Sequence, residues 1–305
     1  MSEPVPEADY ANYMQLISFG SDKPCTQSYP FISPALGNMS GKSVFITGAS
    51  QGIGRRAAIA FAEAGCSNIA ISSRSEDNLA AVASDAKAAA REAGRAEPQV
   101  LTLRMDVTSE EDVKAAAKTI ESAFDAALDV LVNNAGALEE HAFVAQSDPM
   151  DWWNVWEVNV RGTYLVTRHF LPAILRSSLK TVVNMTSGMG IMLVQGYSSY
   201  SPSKVALCRF TEFLMSEYGA KGLLAFSFEP GLSDTRLAAQ LHPILRDLPK
   251  DDAALAPNSM VWLVRERRDW LAGRIVSARW NMEEVLKNKE EIEIKDLMKF
   301  KVALA

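Results

Sequence analysis

Residues 43–64 constrain this chain more than any other stretch. Ser43-Val-Phe-Ile46 is a short apolar run suited to a buried strand. It leads directly into Thr47-Gly-Ala-Ser-Gln-Gly-Ile-Gly54, after which Ala58, Ile59, Phe61 and Ala62 recur at helical spacing. A strand, a glycine-rich turn and a helix in that order put unpaired N–H groups and the positive end of a helix dipole at one point, which suits a pyrophosphate. Gly48 permits the tight turn, Gly52 lets the backbone approach the anion, and Gly54 lets the helix pack closely on the strand.

The rest of the chain repeats this alternation. Strand patterns fall at 43–46, 68–72, 100–104, 128–132, 181–185, 223–228 and 273–277. Between them lie helical patterns. One is capped by Ser75, with Glu76 and Asp77 in its first turn; another is opened by Asp148-Pro149 and carries Trp152, Trp153 and Trp156 at a spacing that predicts core or partner packing. A further helix is predicted over 259–266. The expected fold is α/β: a single-domain, Rossmann-type, doubly wound parallel sheet of about seven strands with helices on both faces. Residues 1–40 read as an extended, proline-broken arm whose Tyr13, Leu16, Ile17, Phe19, Tyr29 and Phe31 suggest packing on a surface; 41–280 form the domain, and 281–305 a charge-rich tail.

Composition narrows the function classes. Of 305 residues, 48% are hydrophobic and 22% charged, enough apolar content for a large core. The net charge of −6, with no basic stripe, argues against nucleic acid as a partner. The acidic, proline-broken start is not a secretory leader, the terminal Ala-Leu-Ala is not a peroxisomal address, and no run of about 18 apolar residues predicts a membrane span. The cysteines (Cys25, Cys66, Cys208) and histidines (His141, His169, His242) lack metal-ligand spacing, so no metal is expected, and the sparse cysteines fit a reducing, cytoplasmic setting.

Tyr200-Ser-Pro-Ser-Lys204 sets a phenol and an ammonium four positions apart, on one face of the helix that follows. A nearby ammonium favours the phenolate, so the pair can act as a tuned acid/base. Tyr197 shares the Lys204 face and is an alternative partner. Twenty residues beyond Gly54, where an acid would accept the ribose hydroxyls of NAD, the chain has Ser73 and Arg74. A guanidinium suits a 2′-phosphate, which predicts NADP(H) over NAD(H).

The G-x-x-x-G-x-G spacing of Gly48, Gly52 and Gly54, together with Tyr200-x-x-x-Lys204, resembles the short-chain dehydrogenase/reductase family in its single-domain branch. Asn133-Asn-Ala-Gly136, Asn159, Ser187 thirteen residues before Tyr200, and Pro230-Gly-x-x-x-Thr235 extend the resemblance over roughly 40–280. It implies hydride transfer between NADP(H) and a small carbonyl/alcohol substrate, with catalytic Asn159, Ser187, Tyr200 and Lys204, and it selects Tyr200 over Tyr197. In this reading Lys204 lowers the Tyr200 pKa and Asn159 holds a proton-relay water. The implied cofactor contacts are Gly48, Ser50, Gly52, Ile53, Gly54, Ser73, Arg74, Asp106, Val107, Asn133, Ala135, Gly136, Tyr200, Lys204, Pro230, Gly231, Leu232 and Thr235. Substrate contacts are expected from Ser187, Met189, Leu193, Tyr197 and Tyr200, beneath a lid near 232–256. The apolar 189–194 segment suggests a substrate with a hydrophobic body. The resemblance also implies a homodimer or homotetramer. An NADP(H) sensor, or a non-redox isomerase or cyclase on the same fold, are the alternative functions.

Overall fold

A computed structural model describes residues 7–19, 21–76 and 78–301 of the chain. The readings of the first six residues, of Asp77 and of the terminal Ala-Leu-Ala fall outside these residues. Seven strands form one parallel sheet in the order β3-β2-β1-β4-β5-β6-β7. They are β1 Ser43–Thr47, β2 Asn68–Ser73, β3 Gln99–Arg104, β4 Val130–Asn133, β5 Thr181–Met185, β6 Leu224–Glu229 and β7 Ile275–Ser277. Because β1 pairs with both β2 and β4, the strand order reverses between β1 and β4. That reversal opens a crevice at the carboxyl ends of the strands.

The helices are α1 Glu7–Ile17, α2 Gly52–Glu63, α3 Leu79–Glu92, α4 Glu110–Ala123, α5 Pro149–Trp156, α6 Thr163–Arg176, α7 Tyr200–Tyr218, α8 Pro243–Arg246, α9 Leu255–Val264, α10 Met282–Lys287 and α11 Lys289–Ile294. Both faces of the sheet are covered, so the inner strands are buried on both sides rather than alternating, while the edge strand β3 stays partly exposed. In β1 every residue is buried. Val44 and Ile46 join the core formed with α2, α3 and α9. Phe45 points the other way, into the core of α4, α6 and α7, with its ring centroid 4.7 Å from that of Phe170.

Four local expectations are corrected. The helix predicted from Ser75 starts at Leu79, with Asn78 at its cap. The Ser73 hydroxyl donates to the Ser75 carbonyl, holding the chain in a turn after β2. Helix α9 begins four residues before the predicted Ser259 and includes Pro257 in its first turn, where a missing N–H breaks no helical bond. In α5 it is Val155 that is buried; Trp153 is exposed, and Trp152 and Trp156 stack on the half-buried face at 6.0 Å. The arm is not extended throughout: residues 7–17 form α1, because Tyr13 and Ile17, four apart, bury one helical stripe. The surface packing expected of its apolar residues is present. Behind it, Met282, Val285 and Ile292 fasten α10 and α11 to the core.

Asp148 caps α5 by accepting from the N–H groups of Met150 and Asp151 at 2.8 and 2.9 Å. Asp148→Ala is expected to cost about 1 kcal/mol, read as a lower Tm or urea midpoint at unchanged m-value; an unchanged midpoint would show that this cap contributes nothing.

Candidate active site

A cleft of about 1570 Å³ lies along the carboxyl ends of the strands, from Arg74 at one end to Leu248 at the other. Its floor begins with the glycine-rich turn. Gly48 and Gly52 adopt φ of +66° and +58°, which other residues rarely tolerate. A Cβ on Gly48 would meet the Ala135 Cα at 2.9 Å. Thr47 Oγ1 accepts from the N–H groups of Asn134 and Ala135, both at 3.0 Å, joining the two loops. Gln51, at the start of α2, makes no side-chain cap. The first N–H groups of that helix therefore face the cleft uncapped, as an anion site requires.

Most of the expected cofactor residues line this cleft: Gly48, Ser50, Gly52, Ile53, Ser73, Arg74, Asp106, Val107, Ala135, Gly136, Tyr200, Lys204, Pro230, Gly231, Leu232 and Thr235. Arg74 is exposed and has no ion-pair partner among the described residues. Gly54 packs beneath the turn instead, where a Cβ would lie 2.8 Å from the Gly48 carbonyl. Asn133 turns into the core, donating to Thr167 Oγ1 and Asn184 Oδ1 at 2.9 and 2.8 Å. Its neighbour Asn134 lines the cleft and donates to the Thr47 carbonyl at 2.8 Å. The N–H of Leu232, one of the expected cofactor contacts, donates to Asp251 Oδ2 at 2.7 Å. Thr235 Oγ1 accepts from the Ala238 N–H.

Ser187, Tyr200 and Lys204 come together on the wall of the cleft. Ser187 follows β5, and its hydroxyl accepts from the Met189 N–H at 3.2 Å on the same stretch of wall as the Tyr200 side chain. Tyr200 opens α7 and is buried. The Lys204 ammonium lies 5.4 Å from the Tyr200 ring centroid and donates to the Met185 carbonyl at 3.0 Å. Burial pushes its pKa down to about 8. The Tyr200 phenol moves opposite to expectation: burial pushes it up to about 12, against the contrary pull of the nearby Ser187 hydroxyl. Without a cofactor, desolvation outweighs any help from the lysine.

Asn159 sits in a π-helical turn, Glu157–Gly162, and is fully buried. Its amide pairs with Ala137 in both directions, accepting from N–H at 2.8 Å and donating to the carbonyl at 3.0 Å. It also donates to Ser203 Oγ at 3.0 Å, and Ser203 in turn donates to the Tyr200 carbonyl at 2.7 Å. The amide thus ties the loop after β4 to the first turn of α7.

Met189 lines the cleft, but Leu193 is 71% exposed and neither it nor Tyr197 reaches the lining. Tyr197 packs behind the lid, where its hydroxyl accepts from the His242 N–H at 2.7 Å. Met192 lines the cleft in the segment where Leu193 was expected.

Three further features were not read from the sequence as parts of the site. Buried Glu139 accepts from the N–H of Ser199 at 2.8 Å and from that of Tyr200 at 3.0 Å, anchoring the start of α7. Glu229, Asp251 and Arg279 line the cleft beside the lid, with Arg279 Nε donating to Asp251 Oδ2 at 2.8 Å. Tyr10, Tyr13, Met14 and Ile17 of α1 also line it. Of these positions only Tyr13 and Ile17 were singled out by the sequence, as apolar residues of an arm packing on a surface and not as part of a site.

This sheet, with its glycine-rich turn and its Ser–Tyr–Lys group, has the architecture of a dehydrogenase. The profile of the short chain dehydrogenase family matches residues 42–244. The chain is 44% identical over 277 residues to the short chain dehydrogenase mpl6 of Monascus purpureus, spanning 91% of this chain and 94% of that protein. It is 40% identical over 281 residues to the short chain dehydrogenase pigC of Monascus ruber, covering 90% of each. Among solved structures, yciK, an oxidoreductase from E. coli, superposes with a TM-score of 0.69 at 27% identity, covering 82% of this chain and 98% of that one. A short-chain type dehydrogenase/reductase from Mycobacterium ulcerans shares the fold at a TM-score of 0.71 and 21% identity, covering 81% and 91%. The chain belongs to the short-chain dehydrogenase family of oxidoreductases.

Proposed function

We propose that the protein is an NADP(H)-dependent carbonyl reductase acting on a small molecule with an apolar body. The observation that carries this reading is the meeting of Ser187, Tyr200 and Lys204 beside a glycine-rich anion site in one cleft. The cleft's size fits a dinucleotide and a substrate together. When bound, the nicotinamide supplies the hydride. Tyr200 donates its proton to the substrate oxygen as negative charge develops there, and Ser187 hydrogen-bonds the same oxygen. A phenol, ordinary or shifted upwards, is protonated at neutral pH and so is available as the donor in this step. Lys204 would hold the nicotinamide ribose and favour the phenolate left after transfer. Asn159 would position a water for reprotonation. Arg74, exposed and without an ion-pair partner among the described residues, would receive the 2′-phosphate. Met189, Met192, Leu237, Leu241 and Leu245 give the substrate end its apolar lining.

The test is aldehyde-dependent oxidation of NADPH by the purified protein. Cofactor binding without turnover on any aldehyde or ketone would favour a sensor, and product formation without net cofactor oxidation an isomerase or cyclase. Arg74→Ala is expected to weaken NADPH binding about tenfold or more, with a much smaller change for NADH. Equal losses in titrations with both cofactors would remove the 2′-phosphate assignment.

A further inference from the structure

The N-terminal helix lies outside the stretch that the family profile covers, and so do Asp251 and Arg279. The chain nevertheless sews them together over the cleft. Trp280 Nε1 donates to the Leu16 carbonyl at 2.6 Å, and the Cys25 N–H to the Arg279 carbonyl at 2.7 Å. The Tyr29 hydroxyl donates to the Trp280 carbonyl at 2.9 Å and accepts from the Met282 N–H at 2.7 Å. The Asp252 N–H donates to the Thr26 carbonyl at 2.8 Å, and Asp252 Oδ2 accepts from the Ser28 N–H at 3.1 Å. Helix α1 is therefore held at the site through Leu16 near its C-terminal end, and the segment behind it through Cys25, Thr26, Ser28 and Tyr29.

Tyr13 is the residue this arrangement delivers. It is 8% exposed. Its hydroxyl donates to Glu229 Oε1 at 3.3 Å and accepts from Arg279 Nη1 at 3.4 Å. Glu229 is itself fixed by the Ser277 hydroxyl at 2.6 Å and the Gly231 N–H at 2.8 Å. The Tyr13 ring lies flush on Gly188, the residue after Ser187: a Cβ there would meet Tyr13 Cζ at 2.7 Å and its hydroxyl at 2.9 Å. A phenol ring thus stands one residue from the serine expected to hold the substrate oxygen, on a wall that also contains Tyr10, Met14 and Ile17.

We propose that α1 is a wall of the substrate site and that Tyr13 is a positioning residue setting the size of the substrate that fits against Ser187. The hydroxyl locks the ring to Glu229 and Arg279, and the ring closes the space above Gly188. The substrate class is a carbonyl carried by an apolar body, with Tyr13 limiting the bulk that can enter beside Ser187. This rests on the carbonyl-reductase reading above.

The test has two readouts on the full chain. The first is kcat/KM for NADPH-dependent reduction of benzaldehyde, 2-naphthaldehyde and 9-anthraldehyde. In Tyr13→Ala the ratio of the anthracene to the benzene aldehyde should rise about tenfold or more, because a ring-sized space opens. In Tyr13→Phe, which keeps the ring, the ratio should stay near that of the unaltered protein. A uniform loss for all three aldehydes in Tyr13→Ala would mean that α1 merely supports the fold, and would overturn the proposal. Should Tyr13→Ala not fold, Tyr13→Leu gives the same reading. The second readout needs no turnover. Gly188→Ala should lower Tm, and that loss should shrink by about half or more in a Tyr13→Ala or Tyr13→Leu background, since the two positions share one space. Strictly additive Tm changes would place Tyr13 away from Gly188 and overturn the wall. Failure of every aldehyde with the unaltered protein would sink the reductase reading alone, leaving the wall to be decided by the Tm coupling.

Discussion

Tyr200→Phe is expected to lower kcat for aldehyde reduction by about 10²–10⁴-fold while the protein stays folded and binds cofactor nearly as before. The substitution removes one oxygen from a buried ring. The bonds that seat the residue are all to its backbone: Glu139 takes its N–H, and Ser203 donates to its carbonyl. They survive the change. The neighbouring Ser187 hydroxyl keeps its bond from the Met189 N–H. The expected stability cost is about 1 kcal/mol or less. Single-turnover rates with NADPH, set beside cofactor titration and a melting curve, separate the proton step from binding and folding. Turnover near that of the unaltered protein would remove Tyr200 from the acid role.

Glu139→Ala should have the largest effect on stability of any single change at the site. The buried carboxylate accepts from two adjacent N–H groups at the start of α7 and cannot be replaced by water without opening the wall. Losing hydrogen bonds to a charged acceptor and stranding both donors costs about 2–4 kcal/mol, or roughly 3–6 °C in Tm for a chain of this length. Glu139→Gln keeps a carbonyl oxygen for one of those donors and should lose less than half as much. A second consequence reaches the chemistry. With its first turn frayed, α7 no longer holds Tyr200 against Ser187, so kcat should fall even where the alanine variant is still folded. A Glu139→Ala protein melting within a degree or so of the parent would show that these bonds contribute little.

Much of the fold was legible because its signals are short-range. The turn carrying Gly48, Gly52 and Gly54 declares itself within a dozen residues of its strand and helix, and all seven strands lie where the apolar runs place them. Tyr200 and Lys204 are related by helical spacing alone. What was misread turns on direction or distance. Asn133 and Asn134 are adjacent amides at a strand end, and strand alternation sends one inward and the other to the cleft. The motif does not say which. Glu139 meets Tyr200 across 61 positions, and Tyr13 meets Arg279 across 266. No local period reports such a pairing, and a carboxylate or phenol in a loop or short helix looks like any solvated polar group. The sign of the Tyr200 shift was missed for a related reason: a neighbouring lysine is visible in the sequence, whereas the depth of burial is not.

The link between Leu232 and Asp251 bears on how the lid works. The Leu232 N–H donates to the Asp251 side chain and the Asp251 N–H to the Leu232 carbonyl at 3.0 Å, while the His242 N–H is held midway by Tyr197. The segment is therefore stapled at its two ends and at its centre, like a strap with three rivets. Gathering the ends of a loop costs entropy that grows with its length, and here that cost is met during folding rather than at each encounter with substrate. Only two short arcs, 233–241 and 243–250, are left to adjust. Substrates should therefore be admitted by small changes of curvature in these arcs rather than by the swing of a free flap, and little binding energy is diverted into ordering the chain.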